Sequence, residues 1–262
     1  MTLDYLWLIN SSPVARKQII EQAANSVSVP DGIDNNLSYS YKVSRIIQPV
    51  IKDYIKEMVR MDDNDSILEQ GKINDAIKSE INFFLPHAIG QLRESIPSIE
   101  ELQQRSNNLY EIAGARRLAF ANKATRTLST TMGSLWEKIA NISPYALNPE
   151  SEFGIKIKGI DVILMNKTTE DIEFAQLKTQ QSTLTGSQKP RSVQELQIHE
   201  NPIFCACFDT NSSWTFNHET IPRLKGAEFW DRIGIQYGIV LDNVKRMILD
   251  LETEYRNILN QI

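Results

Sequence analysis

Two apolar runs joined by a short polar turn constrain this chain more than any other feature. Residues 159–165 read GIDVILM, residues 166–171 read NKTTED, and residues 172–179 read IEFAQLKT. Runs of this length, rich in Ile and Val and bounded by polar residues, are the pattern of two strands of a β-hairpin. If Met165 pairs with Ile172, paired positions sum to 337 and Asp161 falls opposite Gln176. Directly opposite residues share a face, with Cβ atoms about 4.5–5.5 Å apart. The two-residue period of a strand puts Gln176 and Lys178 on one face as well. Asp161, Gln176 and Lys178 then converge on one patch, and Val162, Leu164, Ala175 and Leu177 face the other way. Glu173, the nearest acid to Lys178, has the wrong parity to join them. A slip of one residue would undo this register. An exposed sheet face, with Asp161 and Lys178 as an ordinary cross-strand ion pair, satisfies the same spacing.

The rest of the chain supplies the context. VSRIIQPVIKDYIKEMVRM sets Ile46/Ile47, Val50/Ile51, Tyr54/Ile55 and Met58 at helical spacing, and Asp62, Asp63, Asn64 and Asp65 form a turn after it. Residues 66–96 continue with helical spacing, broken near Pro86. Ser98 lies three residues before Glu101, a capping-box pattern. A long helix follows over about 115–141, with Leu118, Ala121, Thr125, Leu128, Met132, Leu135 and Ile139 as its inner stripe. The texture then changes to short β-rich runs in EFGIKIKGIDVILMN, DIEFAQLKT and NPIFCACFDT. YGIVLDNVKRMILDLETEYRNIL closes the chain as an amphipathic helix, with Leu241, Val244, Ile248, Leu251, Tyr255 and Ile258 as its stripe. This order predicts an α/β (α+β) fold, with a helical N-terminal region over 1–114 integrated with a sheet-containing core over 115–262.

Bulk properties narrow the function. The 262 residues hold no run of 18 apolar residues, so no membrane span is expected, and Asp4 sits where a secretory signal would be basic. The two cysteines, Cys205 and Cys207, are one residue apart in an apolar run. They read as buried strand residues, not as a disulfide framework or half of a zinc site, and they fit a cytoplasmic setting. His87, His199 and His218 are isolated and match no metal-ligand spacing. There is no Gly-x-Ser-x-Gly elbow and no Walker-type phosphate loop. The net charge of −5 does not advertise nucleic-acid binding, but its distribution is uneven. Residues 1–115 hold 11 basic and 16 acidic residues, and residues 116–262 hold 17 of each. Two stretches of the second part are acid-free. One carries Arg116, Arg117, Lys123 and Arg126; the other carries Lys178, Lys189 and Arg191. Such stretches suit a polyanion, and they also suit ordinary solvated faces.

Gly159-Ile160-Asp161, followed fifteen residues later by Gln176-Leu177-Lys178, resembles the signature of the PD-(D/E)XK nuclease superfamily, with isoleucine in place of proline and glutamine in place of the second acid. QLKTQQSTLTGSQ (176–188) is similar to the hydroxyl- and amide-rich run that follows the catalytic lysine in many type II restriction endonucleases. KGAEFWDRIG (225–234) resembles a segment near the C-terminus of the same enzymes. Glu137, on the helix before the motif, matches the glutamate often found there. The resemblance covers about residues 115–235. It implies a restriction-endonuclease-like core, a central mixed sheet flanked by helices, Mg²⁺-dependent hydrolysis of double-stranded DNA, and a homodimer. A symmetric dimer matches a short palindromic site because each protomer reads one half.

On that footing Asp161 is the main metal carboxylate, the Leu177 carbonyl a backbone ligand, Gln176 a neutral amide ligand, and Glu137 a second negative group. Lys178 stabilises charge on the scissile phosphate and orients the attacking water. Gln180, Gln181, Ser182, Thr183, Thr185, Ser187, Lys189 and Arg191 suit phosphate and base-edge contacts, and Arg116, Arg117, Lys123 and Arg126 suit the DNA backbone. The N-terminal region would serve dimerisation or clasp DNA. The alternatives are a structure-directed repair or junction nuclease of the same superfamily, and a non-catalytic DNA-binding protein whose site has decayed through Gln176.

Overall fold

The computed structural model describes residues 3–61, 69–96 and 108–261. The turn expected at Asp62–Asp65 and the capping box at Ser98 and Glu101 lie outside those residues. By contacts the chain divides into two compact units, Met1–Ile73 with Trp136–Ile239, and Asn74–Leu135 with Val240–Ile262. The division expected at residue 114/115 is therefore not where the chain parts.

The helices are α1 (Tyr5–Ile9), α2 (Pro13–Ala24), α3 (Asn35–Met61), α4 (Gln70–Glu94), α5 (Leu109–Ile112), α6 (Arg116–Ala140), α7 (Pro149–Phe153), α8 (Gln188–Gln197), α9 (Ala227–Trp230) and α10 (Tyr237–Leu259). The strands are β1 (Ala146–Leu147), β2 (Val162–Met165), β3 (Ile172–Lys178), β4 (Pro202–Ala206) and β5 (Arg223–Lys225). They form one mixed sheet in the order β1-β2-β3-β4-β5. β1 and β3 run antiparallel to β2, whereas β4 is parallel to β3 and β5 parallel to β4. The helix α8 forms the crossover that a parallel β3–β4 pair requires.

In the first unit the expected hairpin is present. Val162 pairs with Ala175, Leu164 with Glu173 and Met165 with Ile172. Asn166 closes the turn: its N–H donates to the Asp171 carbonyl at 2.9 Å and its side chain accepts from Thr168 N–H at 3.0 Å. Both faces of this hairpin are covered, so the exposed-sheet alternative does not hold. Val43, Ile47, Ile51 and Tyr54 repeat in threes and fours along α3 and share one core with Ile163, Phe174 and Phe204 of the sheet. Leu8 and Ile20, from α1 and α2, belong to the same core. The starts of these two helices have a local cause. Asp4 caps α1, and Ser12 caps α2, which has Pro13 at its first position.

Several local expectations change. EFGIKIKGIDVILMN is strand only from Val162. Its first residues are helical because Asn148 caps α7, Pro149 opens it, and Gly154 ends it in the left-handed region at φ 65°. Cys205 and Cys207 are buried free thiols, and burial pushes both well above the ordinary thiol range.

In the second unit α4 runs unbroken through Pro86. On α6 the buried residues near its start are Ala119, Phe120 and Ala124, whereas Leu118 is exposed. Phe120 stacks on Tyr255 at 5.1 Å, so the larger aromatic takes the inward position that the stripe assigned to Leu118. On α10 the inward residue is Met247, and Ile248 is exposed. Arg93 donates to Glu254, and Asn243 to Asn74, which ties α10 to α4 within this unit. No helix among the described residues is long and apolar enough to cross a membrane.

Candidate active site

Asp161 stands one residue ahead of β2, where the chain turns away from the sheet. Gly159 makes that turn at φ 77°, and the Ile160 N–H closes it onto the Ile157 carbonyl at 3.1 Å. The Leu177 amide is thereby left without a neighbouring strand, and the Asp161 carboxylate takes it: Leu177 N–H donates to Asp161 Oδ2 at 2.7 Å. The Asp161 N–H donates to the Ala175 carbonyl at 2.9 Å. The regular register thus ends at Val162, and the direct pairing of Asp161 with Gln176 is replaced by an anchor on the next residue. An irregularity of this kind at a strand end re-aims a side chain. Here it brings the carboxylate to the residue between Gln176 and Lys178.

Burial raises the pKa of Asp161, whereas the Lys178 ammonium and the Leu177 N–H favour its ionised form. Gln176 is only 6% exposed, and its Oε1 has no hydrogen-bond partner. Such an orphaned acceptor costs about 1–3 kcal/mol unless something donates to it or it binds a cation. N–H and C=O of one strand residue point to the same side. The Leu177 carbonyl therefore faces the edge on which Asp161 lies.

Glu137 comes from the end of α6. Trp136 pins that end, donating its indole N–H to Thr179 Oγ1 at 3.0 Å and meeting Phe208 edge-on at 4.8 Å. Glu137 is half-buried, not on the exposed face its helical position allowed. Its carboxyl is pushed up to about 7, first by burial and then by the Asp161 charge, with Lys156 and Lys178 opposing. Glu137 Oε2 accepts from Asn148 Nδ2 at 3.0 Å.

Three residues near this centre escaped the sequence reading. Glu195, buried on α8, raises the pKa of Asp161 by its charge. Its Oε1 accepts from Arg191 Nε at 2.8 Å. The signal was there: Ser192, Glu195 and Leu196 are the inward i, i+3, i+4 stripe of α8, and an acid on such a stripe is out of place. Asn148 was legible as a helix cap before Pro149, but its second role was not. Lys156, exposed, acts on both Glu137 and Asp161, and its sequence gives no hint of this.

The expected DNA-facing residues divide. Gln180, Ser182, Thr183, Thr185, Ser187 and Arg191 are exposed, and Lys189 is half-buried, along the β3–α8 segment of the first unit. Gln181 is 2% exposed and points inward. Its Nε2 donates to Asp209 Oδ1 at 3.1 Å and to the Thr210 carbonyl at 3.0 Å, and its Oε1 accepts from Thr210 Oγ1 at 2.8 Å. It clamps two loops together and is not a contact for DNA. Arg116, Arg117, Lys123 and Arg126 lie on the part of α6 that belongs to the second unit. In KGAEFWDRIG, Phe229 and Trp230 are core residues, and Trp230 Nε1 donates to the Cys207 carbonyl at 2.7 Å. Glu173 pairs with Arg232, apart from the Asp161 centre as its parity required.

Among the described residues no three His, Cys, Asp or Glu side chains form a metal-holding group. The groups that meet at Asp161 are the Leu177 N–H, the Lys178 charge and the nearby Glu137 carboxylate. No family model matches the chain, and no curated protein matches it.

Proposed function

We propose that the chain is a Mg²⁺-dependent type II restriction endonuclease of the PD-(D/E)XK kind, a homodimer that hydrolyses double-stranded DNA at a short palindromic site. The observation that carries this reading is the Asp161 carboxylate anchored on Leu177, between Gln176 and Lys178. A mixed sheet flanked by helices agrees with the fold that the motif implies.

The residues fit a hard cation. Asp161, the Leu177 carbonyl and the unpartnered Gln176 Oε1 are all oxygen donors, and Mg²⁺ is commonly held by one or two carboxylates with water and substrate phosphate completing its shell. When bound, Mg²⁺ supplies charge stabilisation to the phosphoryl oxygens and acidifies a bound water. Lys178 places a positive charge beside Asp161 and the scissile phosphate, orienting the water and stabilising the developing charge. Glu137 adds the second negative group that Gln176 cannot give. The exposed Gln180, Ser182, Thr183, Thr185 and Ser187, with Lys189 and Arg191, offer hydroxyl, amide and cationic groups to phosphates and base edges.

Digestion of plasmid DNA with and without Mg²⁺ tests the proposal. Discrete fragments are expected with Mg²⁺ only, and Asp161→Ala and Lys178→Ala are each expected to abolish cutting while melting like the wild type. Absence of cleavage across varied DNA and divalent metals, or normal cutting by either variant, would overturn it. Gln176 favours a second reading, a DNA-binding protein with a decayed site. Sequence-specific binding without metal-dependent cleavage would establish that one instead.

A further inference from the structure

Asn148 uses every polar group it has. Its backbone N–H donates to Asn141 Oδ1 at 2.8 Å, and its Oδ1 accepts from Ser151 N–H at 2.9 Å, capping α7. The two hydrogens of its amide nitrogen go elsewhere, one to Glu137 Oε2 at 3.0 Å and one to the Asp161 carbonyl at 3.0 Å. A cap needs only the oxygen. The nitrogen therefore does something a cap does not require. It joins the side chain of one site acid to the backbone of the other.

Two acids set close together in a half-buried place repel, and a glutamate can swing toward water to relieve this. The Asn148 amide opposes that motion with a donor fixed from both sides, by the cap below and by Asn141, the residue that follows α6 and whose N–H donates to the Glu137 carbonyl at 3.0 Å. We propose that Asn148 is a positioning residue that holds the Glu137 carboxylate beside Asp161 and so completes the oxygen donor set for a divalent cation. This rests on the reading of the Asp161 centre as a metal site. Groups that hold such acids in place without touching the cation are worth about tenfold or more in metal affinity.

Asn148→Ser keeps a capping oxygen and removes the donating nitrogen. Asn148→Thr serves the same purpose where the serine variant melts early, because threonine also caps and adds no charge. The probe is Mn²⁺ alone, titrated into the full-length protein and followed by electron paramagnetic resonance, with thermal melting as the check on folding. Wild type is expected to bind Mn²⁺ and Asp161→Ala to lose binding. Asn148→Ser and Glu137→Gln are each expected to weaken binding about tenfold or more. The double variant is expected to be no weaker than Glu137→Gln alone, since both changes remove one interaction. If Asp161→Ala loses binding but Asn148→Ser binds like wild type, or the two losses multiply in the double variant, the positioning role is wrong and the metal site stands. If wild type binds no Mn²⁺, or Asp161→Ala binds it normally, the metal site is wrong and this role falls with it.

Discussion

Glu137 shows how its surroundings set the titration of a single residue. Its carboxyl titrates at about 7, well above the ordinary carboxylate range, chiefly because burial disfavours its charge. Between that range and about pH 7 the folded protein holds a proton that the unfolded chain has released. Stability therefore falls as pH rises through this window. Glu137→Gln removes the titration. The variant is expected to gain stability over wild type between about pH 5 and about pH 8, by about 1–2 kcal/mol once solvent screening of this half-exposed group is allowed for. Urea unfolding at the two pH values measures it, and an unchanged difference would show that Glu137 is not held as described. Gln176 gives the complementary case. Gln176→Glu supplies the missing charge where an acceptor now has no partner. Stronger Mn²⁺ binding or faster cutting is expected, and a wild-type profile in both assays would remove Gln176 from the donor set.

At the scale of elements, the segment before β2 decides the site. Gly159 is in the left-handed region, and a Cβ there would lie 2.5 Å from the Glu195 Cβ on α8. Gly159→Ala must therefore strain the turn and push α8 away. Backbone strain alone costs about 1–3 kcal/mol. A loss of about 2 kcal/mol or more in chemical unfolding is expected, with reduced cutting because Asp161 follows two residues later. An alanine variant as stable as wild type would mean that turn and helix are not in close contact. The hairpin itself was legible from alternation and turn residues. The slip at Asp161 was not, because it depends on where Gly159 turns the chain and on which amide is left for the carboxylate to take.

At the scale of the molecule, the N-terminal helices belong with the sheet. Leu8, Ile20, Ile47 and Tyr54 are fully buried and share one core with Phe174 and Phe204. A fragment of residues 115–262 would expose that core face. It is expected to show no cooperative thermal unfolding, and a cooperative transition by circular dichroism would refute this. Within the full chain, Ile20→Ala is expected to cost about 2–5 kcal/mol, the usual range for truncating a buried isoleucine.

Sequence alone determined the elements whose periodicity is strong: the long helices over 116–140 and 237–259, the β2–β3 register, and the burial of both cysteines. It singled out Asp161 and Lys178, because a strand period and a turn are local properties that a short stretch specifies. Tertiary structure decided the rest. Gln181 turned inward because Asp209 and Thr210 met all its hydrogen-bonding needs. Phe120 displaced Leu118 from the core because Tyr255, distant in sequence, offered it a ring. Glu195 and Asn148 reached the Asp161 centre through contacts that only the folded chain creates. Periodicity says which face of an element is buried, but not which partner it meets there, and partners are what turn acids and amides into a site.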